Sequence, residues 1–247
     1  MCRKYNNSPI VEALCEFHFI PSQPWDMTIP GLLYEKIKDE FPERQQQMGF
    51  GVGIQPKEGM AEHKIELAPP RMQLLRSNKT ALIQIGPDLL TVNHLKPYPT
   101  WEVFKPLIIK NLNTYQEIAM PKNFKRMGLR YINRIEFSKG PIELTDFFNY
   151  YPFIPNNLPQ IHETFQIKVE IPYEEGRDRL LLTLASIIPD KPDAIAVLLD
   201  LDYIMAIPES VSLDQASEWI EKAHTKVENA FEACIRDKCR KLFEEVK

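Results

Sequence analysis

The chain has 247 residues, of which 44% are hydrophobic and 26% are charged, with a net charge of −4. This composition is typical of a globular protein with a sizeable core, and it excludes a disordered chain, a coiled-coil rod and a collagen-like repeat. The acidic balance argues against a strongly basic nucleic-acid-binding domain. Nine glycines against 21 prolines argue against a glycine-rich phosphate loop and favour many stiff loops.

Nothing in the chain predicts a membrane segment, and its cysteines and histidines predict no metal site. No apolar run approaches the roughly 18 residues of a membrane helix, and the first residues lack a signal-peptide core, so we expect a cytoplasmic protein without membrane contact. The four cysteines are dispersed and the five histidines lie far apart, outside any metal-binding motif. We therefore expect no metal and no cofactor.

The first half of the chain predicts a strand, a helix, an antiparallel meander and a second helix. Apolar residues alternate over 13–20, which is the pattern of a strand with one buried face. Helical spacing follows over 29–41, with Thr28 as the predicted N-cap. Residues 48–59 are Gly-rich and aperiodic. Short strands are then predicted at 63–67, 71–77, 81–86 and 89–95, before a helix over 100–118.

The second half repeats this order. The pattern predicts a strand at 128–137, a short helical run at 143–151 and three strands at 164–171, 179–188 and 194–204. Ser212 and Gln215 have the spacing of a capping box, from which one unbroken helix is predicted over 213–246. The apolar stripe of this helix continues past Cys234, and that distal part needs a cover, which is either the helix over 100–118 or a second chain, with the intramolecular cover slightly favoured.

Two similar halves, 1–121 and 122–247, therefore predict an α+β fold of curved antiparallel sheets backed by long helices, like the saddle of the TATA-box-binding protein. The alternative is a single α+β domain whose element order repeats by accident. The two opening strands align without gaps, which sets Glu12 against Arg130 and Glu16 against Arg134. If both strands meet at the sheet centre, these residues are predicted to form cross-strand ion pairs.

Three segments of the sequence resemble a known family. They are PIVEALCEFHF (9–19), the pair IGPDLLTVNHL and YPTWEVF (85–95 and 98–104), and RMGLRYINRIEF (126–137). Together they resemble a sporadically distributed family of prokaryotic proteins of about this length with a central GLRYINRI motif. The resemblance implies no catalytic reaction, cofactor or substrate. The patchy distribution of the family is similar to that of genes in mobile or host-defence loci.

The densest basic segment of the chain lies at 122–139, with six Lys and Arg against one acid. Its arginines, with interleaved aromatic and amide residues, could hold phosphates while a ring stacks on a base. The alternative, which we favour, is that nearby carboxylates neutralise these arginines. The candidate binding residues are Arg126, Arg130, Tyr131, Asn133 and Arg134, with Glu12 and Glu16 as their acidic neighbours.

One acidic pair remains. Asp200 and Asp202 share a strand face and, with Glu170, could bind Mg²⁺ for a nuclease reaction, although an ordinary strand surface explains them more simply. The sequence therefore favours a non-catalytic binding protein whose partner is another protein, contacted through the sheet face or the cleft between the halves. The alternatives are nucleic-acid binding through 122–139 and a metal-dependent nuclease.

Overall fold

The computed structural model of the protein describes residues 3–57, 60–137, 142–160, 163–192 and 194–245, with side chains described outside residues 48–69. Within these ranges the fold is α+β, with nine strands and five helices. The strands are β1 (Ile10–Ile20), β2 (Glu43–Lys57), β3 (Met60–Leu75), β4 (Ala81–Gly86), β5 (Leu89–Leu95), β6 (Asn123–Phe137), β7 (Gln166–Tyr173), β8 (Asp178–Ile187) and β9 (Ile195–Met205). The helices are α1 (Ile29–Ile37), α2 (Trp101–Ala119), α3 (Leu144–Phe147), α4 (Ala216–Cys234) and α5 (Asp237–Leu242).

All nine strands belong to one antiparallel sheet with the order β2-β3-β4-β5-β1-β6-β9-β8-β7. The opening strands β1 and β6 pair with each other in the middle of the sheet. Strands from the first half continue on one side of this pair, and strands from the second half continue on the other. The two segments that sequence analysis aligned therefore lie side by side at the centre.

Alternation along the central strands divides the sheet into a covered face and an open face. On β1, Ala13, Cys15, Phe17 and Phe19 are buried, as the alternating pattern predicts. The Phe19 ring stacks on Tyr115 of α2 with the ring centroids 4.6 Å apart. The intervening side chains of β1 point away from the helices. We call that side, which includes Glu12, Glu16 and the matching residues of neighbouring strands, the open face.

Helices α2 and α4 pack on the covered face, where the two halves meet. The Trp101 ring of α2 stacks on His224 of α4 with centroids 3.9 Å apart. Lys105 Nζ donates to Glu221 Oε2 across the same helix pair at 2.5 Å. The predicted capping box precedes α4, since the Ser212 backbone N–H donates to the side chain of Gln215. No helix in the described ranges is both long and apolar enough to cross a membrane.

Two predicted segments differ most from the structure. Residues 48–59 were expected to be irregular, but 48–57 belong to β2, which pairs antiparallel with β3. The single helix over 213–246 is also wrong, because α4 ends at Cys234 and Ile235 is extended and bridges Phe148. The chain then starts again as α5.

The cover of the C-terminal apolar stripe comes from the chain itself. The ring of Tyr5 lies 5.6 Å from Phe243 and 6.3 Å from Phe231, measured between centroids. Cys239 of α5 is fully buried in the same core. The intramolecular packing was expected, but the partner is the N-terminal segment with Phe148 rather than the helix over 100–118.

Candidate binding site on the open face

The strand alternation separates the seven predicted binding residues into two groups. Glu12 and Glu16 of β1 lie on the open face, as do Arg126, Arg130 and Arg134 of β6. The remaining two, Tyr131 and Asn133, point to the opposite side of β6 and are buried under the helices. A single contact surface therefore contains only the charged members of the predicted set.

Tyr131 cannot stack on a base in this structure, because its side chain is only 4% exposed. Its hydroxyl lies 3.1 Å from the Tyr98 hydroxyl and 3.1 Å from His224 Nδ1. Burial raises the pKa of Tyr131 well above its ordinary value. Asn133 is equally buried, and its Nδ2 donates to the Leu199 carbonyl at 3.0 Å. Both residues hold the covered face together, so their predicted role in an accessible binding surface is wrong.

The predicted ion pairs between β1 and β6 are also wrong. In the observed antiparallel register, Glu16 lies opposite Gly128, and Leu14 lies opposite Arg130. A gapless alignment identifies residues that occupy equivalent places in two halves. Two antiparallel strands run in opposite directions, so residues that are equivalent in an alignment of the two strands generally do not lie opposite each other in the sheet. Neither Glu12 with Arg130 nor Glu16 with Arg134 therefore forms the expected pair.

The arginines of β6 instead hold carboxylates from several elements. Arg126 Nη1 donates to Glu16 Oε1 at 2.8 Å, and its Nη2 lies 3.3 Å from Asp202 Oδ2. Arg130 makes a bidentate contact with Asp200, through Nε at 2.7 Å and Nη2 at 2.6 Å. This fork geometry is the strongest form of an Arg–carboxylate contact.

Arg134 lies further along β6 and has separate partners. Its Nη2 is 2.9 Å from Glu136 and 2.8 Å from Asp190, and it also donates to the Ile188 carbonyl at 2.7 Å. All three open-face arginines of the basic segment are thus paired with acids. Little uncompensated positive charge is left on this part of β6 for a phosphate backbone.

The two aspartates of the predicted metal site do share the open face, but each is bound to an arginine rather than grouped with the other acids. Glu170, the third predicted ligand, contacts Arg179 Nη1 at 3.3 Å. Among the described residues, no group of three or more His, Cys, Asp or Glu side chains has a metal-binding arrangement.

A polar pocket of about 240 Å³ opens at the centre of this face. We call it the central polar pocket, and its lining residues are Glu12, Leu14, Glu16, Arg71, Gln84, Thr91, Asn93, Arg126, Gly128, Arg130 and Asp202. Gly128 makes the floor. A Cβ atom there would lie 3.3 Å from Asp202 Oδ1 and 3.6 Å from Arg126 Nη2, so any larger residue would fill the pocket where the ion pairs meet.

The carboxyl groups of the pocket have opposite pKa shifts. Burial raises the pKa of Asp202 to about 6, against the attraction of Arg126 and Arg130. Burial alone would also raise the pKa of Glu16. The hydrogen bond from His18 and the charges of Arg126 and Arg71 outweigh burial and lower that pKa to about 2. The pocket therefore contains one carboxyl group of lowered pKa, Glu16, and one of raised pKa, Asp202.

A ladder of side-chain amides leads across the first-half strands to this pocket. Gln45 Nε2 donates to Gln73 Oε1 at 2.5 Å, and Gln73 Nε2 lies 3.4 Å from Gln84 Oε1. Gln84 Nε2 donates to Asn93 Oδ1 at 3.1 Å, and Asn93 Nδ2 donates to Glu12 Oε1 at 2.5 Å. The sequence analysis did not predict this amide ladder. Each of its four amide residues nevertheless occupies a position of its strand whose side chain is on the open-face side.

No protein-family model matches the chain, and no curated protein has a matching sequence. The side chains of the open face themselves therefore indicate what this face can bind. Guanidinium, carboxylate and amide groups lie within hydrogen-bonding distance of one another around one pocket, and they can exchange these contacts for those of a polar ligand.

Proposed function

We propose that the protein is a non-catalytic binding protein, and that its partner is another protein that contacts the open face at the central polar pocket. The observation that carries this proposal is the array of partly exposed charged and amide side chains around that pocket, which are Glu16, Arg71, Gln84, Arg126 and Arg130. Such an array matches the mixed amide, carboxylate and cationic groups of a polypeptide surface. It does not offer the excess positive charge that a nucleic acid requires.

Arg71 is the side chain best placed to make the first contact with a partner. Among the side chains that the structure describes, its ion-pair partner is Glu16, whose Oε2 lies 3.9 Å away and beyond hydrogen-bonding distance, and the Arg71 side chain is 37% exposed. A carboxylate from the partner can therefore bind Arg71 without breaking an existing hydrogen bond to Glu16. Arginine is also among the residues that contribute most to protein–protein interfaces.

Nucleic-acid binding through 122–139 remains the alternative proposal, but it has a cost that protein binding avoids. Arg126 and Arg130 would have to exchange buried or half-buried carboxylates for phosphates. The exchange would leave Asp200 and Asp202 without their cations, which is unfavourable for poorly solvated acids.

The test compares Arg71→Glu with the matched control Lys222→Glu, an exposed charge on α4. Each protein is used to enrich partners from a cell extract, and an enriched protein is then purified and titrated directly. We expect a partner that binds the unmodified protein and the control equally. The affinity of this partner for the Arg71→Glu variant should be lower by about tenfold or more, which is the loss typical of replacing an arginine that contributes strongly to an interface.

Two further titrations separate the alternatives. Fluorescence anisotropy with labelled single-stranded DNA and RNA tests nucleic-acid binding, and thermal stability with and without Mg²⁺ tests the metal site. Salt-dependent nucleic-acid binding that Arg130→Gln weakens would replace the proposal with its first alternative. Stabilisation by Mg²⁺ that Asp202→Asn abolishes would replace it with the nuclease. A partner lost equally in Arg71→Glu and in the control would also contradict it.

We further infer that the two halves, 1–121 and 122–247, are a duplicated saddle similar to that of the TATA-box-binding protein. The antiparallel pairing of β1 with β6 supports this, as does the outward continuation of each half from that centre. The second half has three strands beyond β6 where the first has four beyond β1. Membership of the family with the GLRYINRI motif, and a role in host defence, stay predictions.

A further inference from the structure

Strand β7 ends the sheet on the second-half side, and no described strand pairs with its outer edge. Edge strands of native proteins are usually short, charged or covered, because an exposed edge invites pairing with another chain. Here the covered-face side of β7 keeps apolar residues in solvent. Val169 is 40% exposed and Ile171 37% exposed, although they lie beside the buried Leu182 and Leu180 of β8.

The hydrogen-bonding groups along this edge can be assigned from the register. The Ser186 N–H donates to the Phe165 carbonyl at 3.0 Å, one step before the pairing of Gln166 with Ala185. Backbone groups alternate in direction along an antiparallel strand, so Val169 turns its N–H and C=O toward β8. Lys168 and Glu170 therefore turn theirs outward, to the open edge.

Pro172 agrees with this assignment. It falls at an outward-facing position, where the missing N–H costs no hydrogen bond to β8. The outer edge from 166 to 171 is thus a row of backbone donors and acceptors without an interruption. A partner strand would find both the hydrogen bonds and an exposed apolar row beside them.

We propose that this edge binds the same edge of a second copy of the protein, antiparallel about a twofold axis at Val169. In that register each Lys168 lies opposite Glu170 of the other copy, and each Ile167 lies opposite Ile171. Moving the axis by one residue would set Lys168 against Lys168 or Glu170 against Glu170. Like charges directly opposite each other are unfavourable, so the sequence of β7 selects the register centred on Val169.

The existing contacts leave these charges available. Lys168 and Glu170 lie on the open face of the sheet and are both exposed. Glu170 Oε2 is 3.3 Å from Arg179, but both side chains are half exposed, so this pair is weak and solvated. The dimer would join two nine-stranded sheets into one and would cover Val169 and Ile171 on the other side.

The test uses charge reversal, with sedimentation equilibrium as the measurement. Lys168→Glu gives a copy with two carboxylates at the edge, and Glu170→Lys gives a copy with two ammonium groups. Each variant alone should weaken the dimer by about tenfold or more, because two attractive pairs become repulsive. An equimolar mixture of the two variants should dimerise again, because every opposing pair is then complementary.

Lys222→Glu on α4 is the control and should leave the dimer unchanged, while circular dichroism checks that each variant is folded. The proposal is overturned if the unmodified protein is a monomer throughout the concentration range, or if its dimer is insensitive to both reversals. It is also overturned if the two variants fail to dimerise on mixing. Open-ended polymers would show head-to-tail pairing of β7 with β2 instead of a closed twofold contact.

Discussion

The ion pairs at the sheet centre offer the sharpest test of the observed register. In a double-mutant cycle, Glu16→Gln and Arg126→Gln are made singly and together, and the free energy of unfolding is measured for each protein. A second cycle combines Glu16→Gln with Arg134→Gln. The structure places Glu16 Oε1 2.8 Å from Arg126 Nη1, whereas Arg134 contacts Glu136 and Asp190.

The expected magnitude follows from distance and burial. Glu16 is 20% exposed and Arg126 33%, so their contact is a charge-assisted hydrogen bond at a partly desolvated site. Exposed pairs contribute up to about 1 kcal/mol and hydrogen bonds to charged groups about 1.5–3 kcal/mol. Because Arg126 keeps Asp202 as a second partner, we expect a coupling of about 1 kcal/mol in the first cycle. In the second cycle the effects should add to within about 0.5 kcal/mol, as for separated sites.

Urea denaturation followed by circular dichroism measures all six proteins under the same conditions. A coupling between Glu16 and Arg134 that equals or exceeds the coupling between Glu16 and Arg126 would refute the antiparallel register of β1 and β6. It would support the arrangement in which aligned residues of the two strands are neighbours.

Two further predictions concern carboxyl groups that have little or no exposure to solvent. Because the pKa of Asp202 is raised to about 6, this carboxyl group binds more protons in the folded than in the unfolded state between about pH 4 and pH 6, and its contribution to stability falls as the pH rises through this window. Asp202→Asn should reduce this loss of stability by about 1–3 kcal/mol. Urea unfolding at both ends of the pH window measures the reduction. If the substitution leaves the pH profile of stability unchanged, the raised pKa does not belong to Asp202. Asp178 is completely buried and accepts hydrogen bonds from Arg177, Tyr203 and Trp219. Asp178→Ala should therefore cost about 3 kcal/mol in denaturant unfolding, and a cost below about 1 kcal/mol would contradict a structural role.

Local patterns predicted most of the secondary structure because each pattern reports on burial of the segment that contains it. The alternation at 13–20 identifies the buried face of β1, and the spacing over 100–118 identifies α2, since both depend only on neighbouring residues. The Gly-rich stretch at 48–59 has no such alternation. The strand conformation of 48–57 depends on pairing with β3, which periodicity does not report.

The C-terminal helix shows the opposite error. Apolar spacing continues without a break through Ile235, so the sequence predicts one helix. The chain leaves the helix there because Ile235 pairs with Phe148 and the Arg236 N–H donates to the Phe147 carbonyl at 2.7 Å. These partners lie almost 90 residues away in the sequence, so helical propensity alone could not show that the contact would win.

The candidate site depends on tertiary structure in the same way. The sequence by itself determined that Glu16, Arg130 and Asp202 belong to strands and that each alternates with buried residues. Only strand order and register decided that β9 supplies the aspartates that face β6, and that four amide side chains align into a ladder toward Glu12. Hydrophobic burial selects which way a side chain points, because it acts on each strand separately. The charged or polar residues that such a side chain contacts come from other strands. Those contacts are therefore determined only when the strands of the sheet pair in one order and register over a common core.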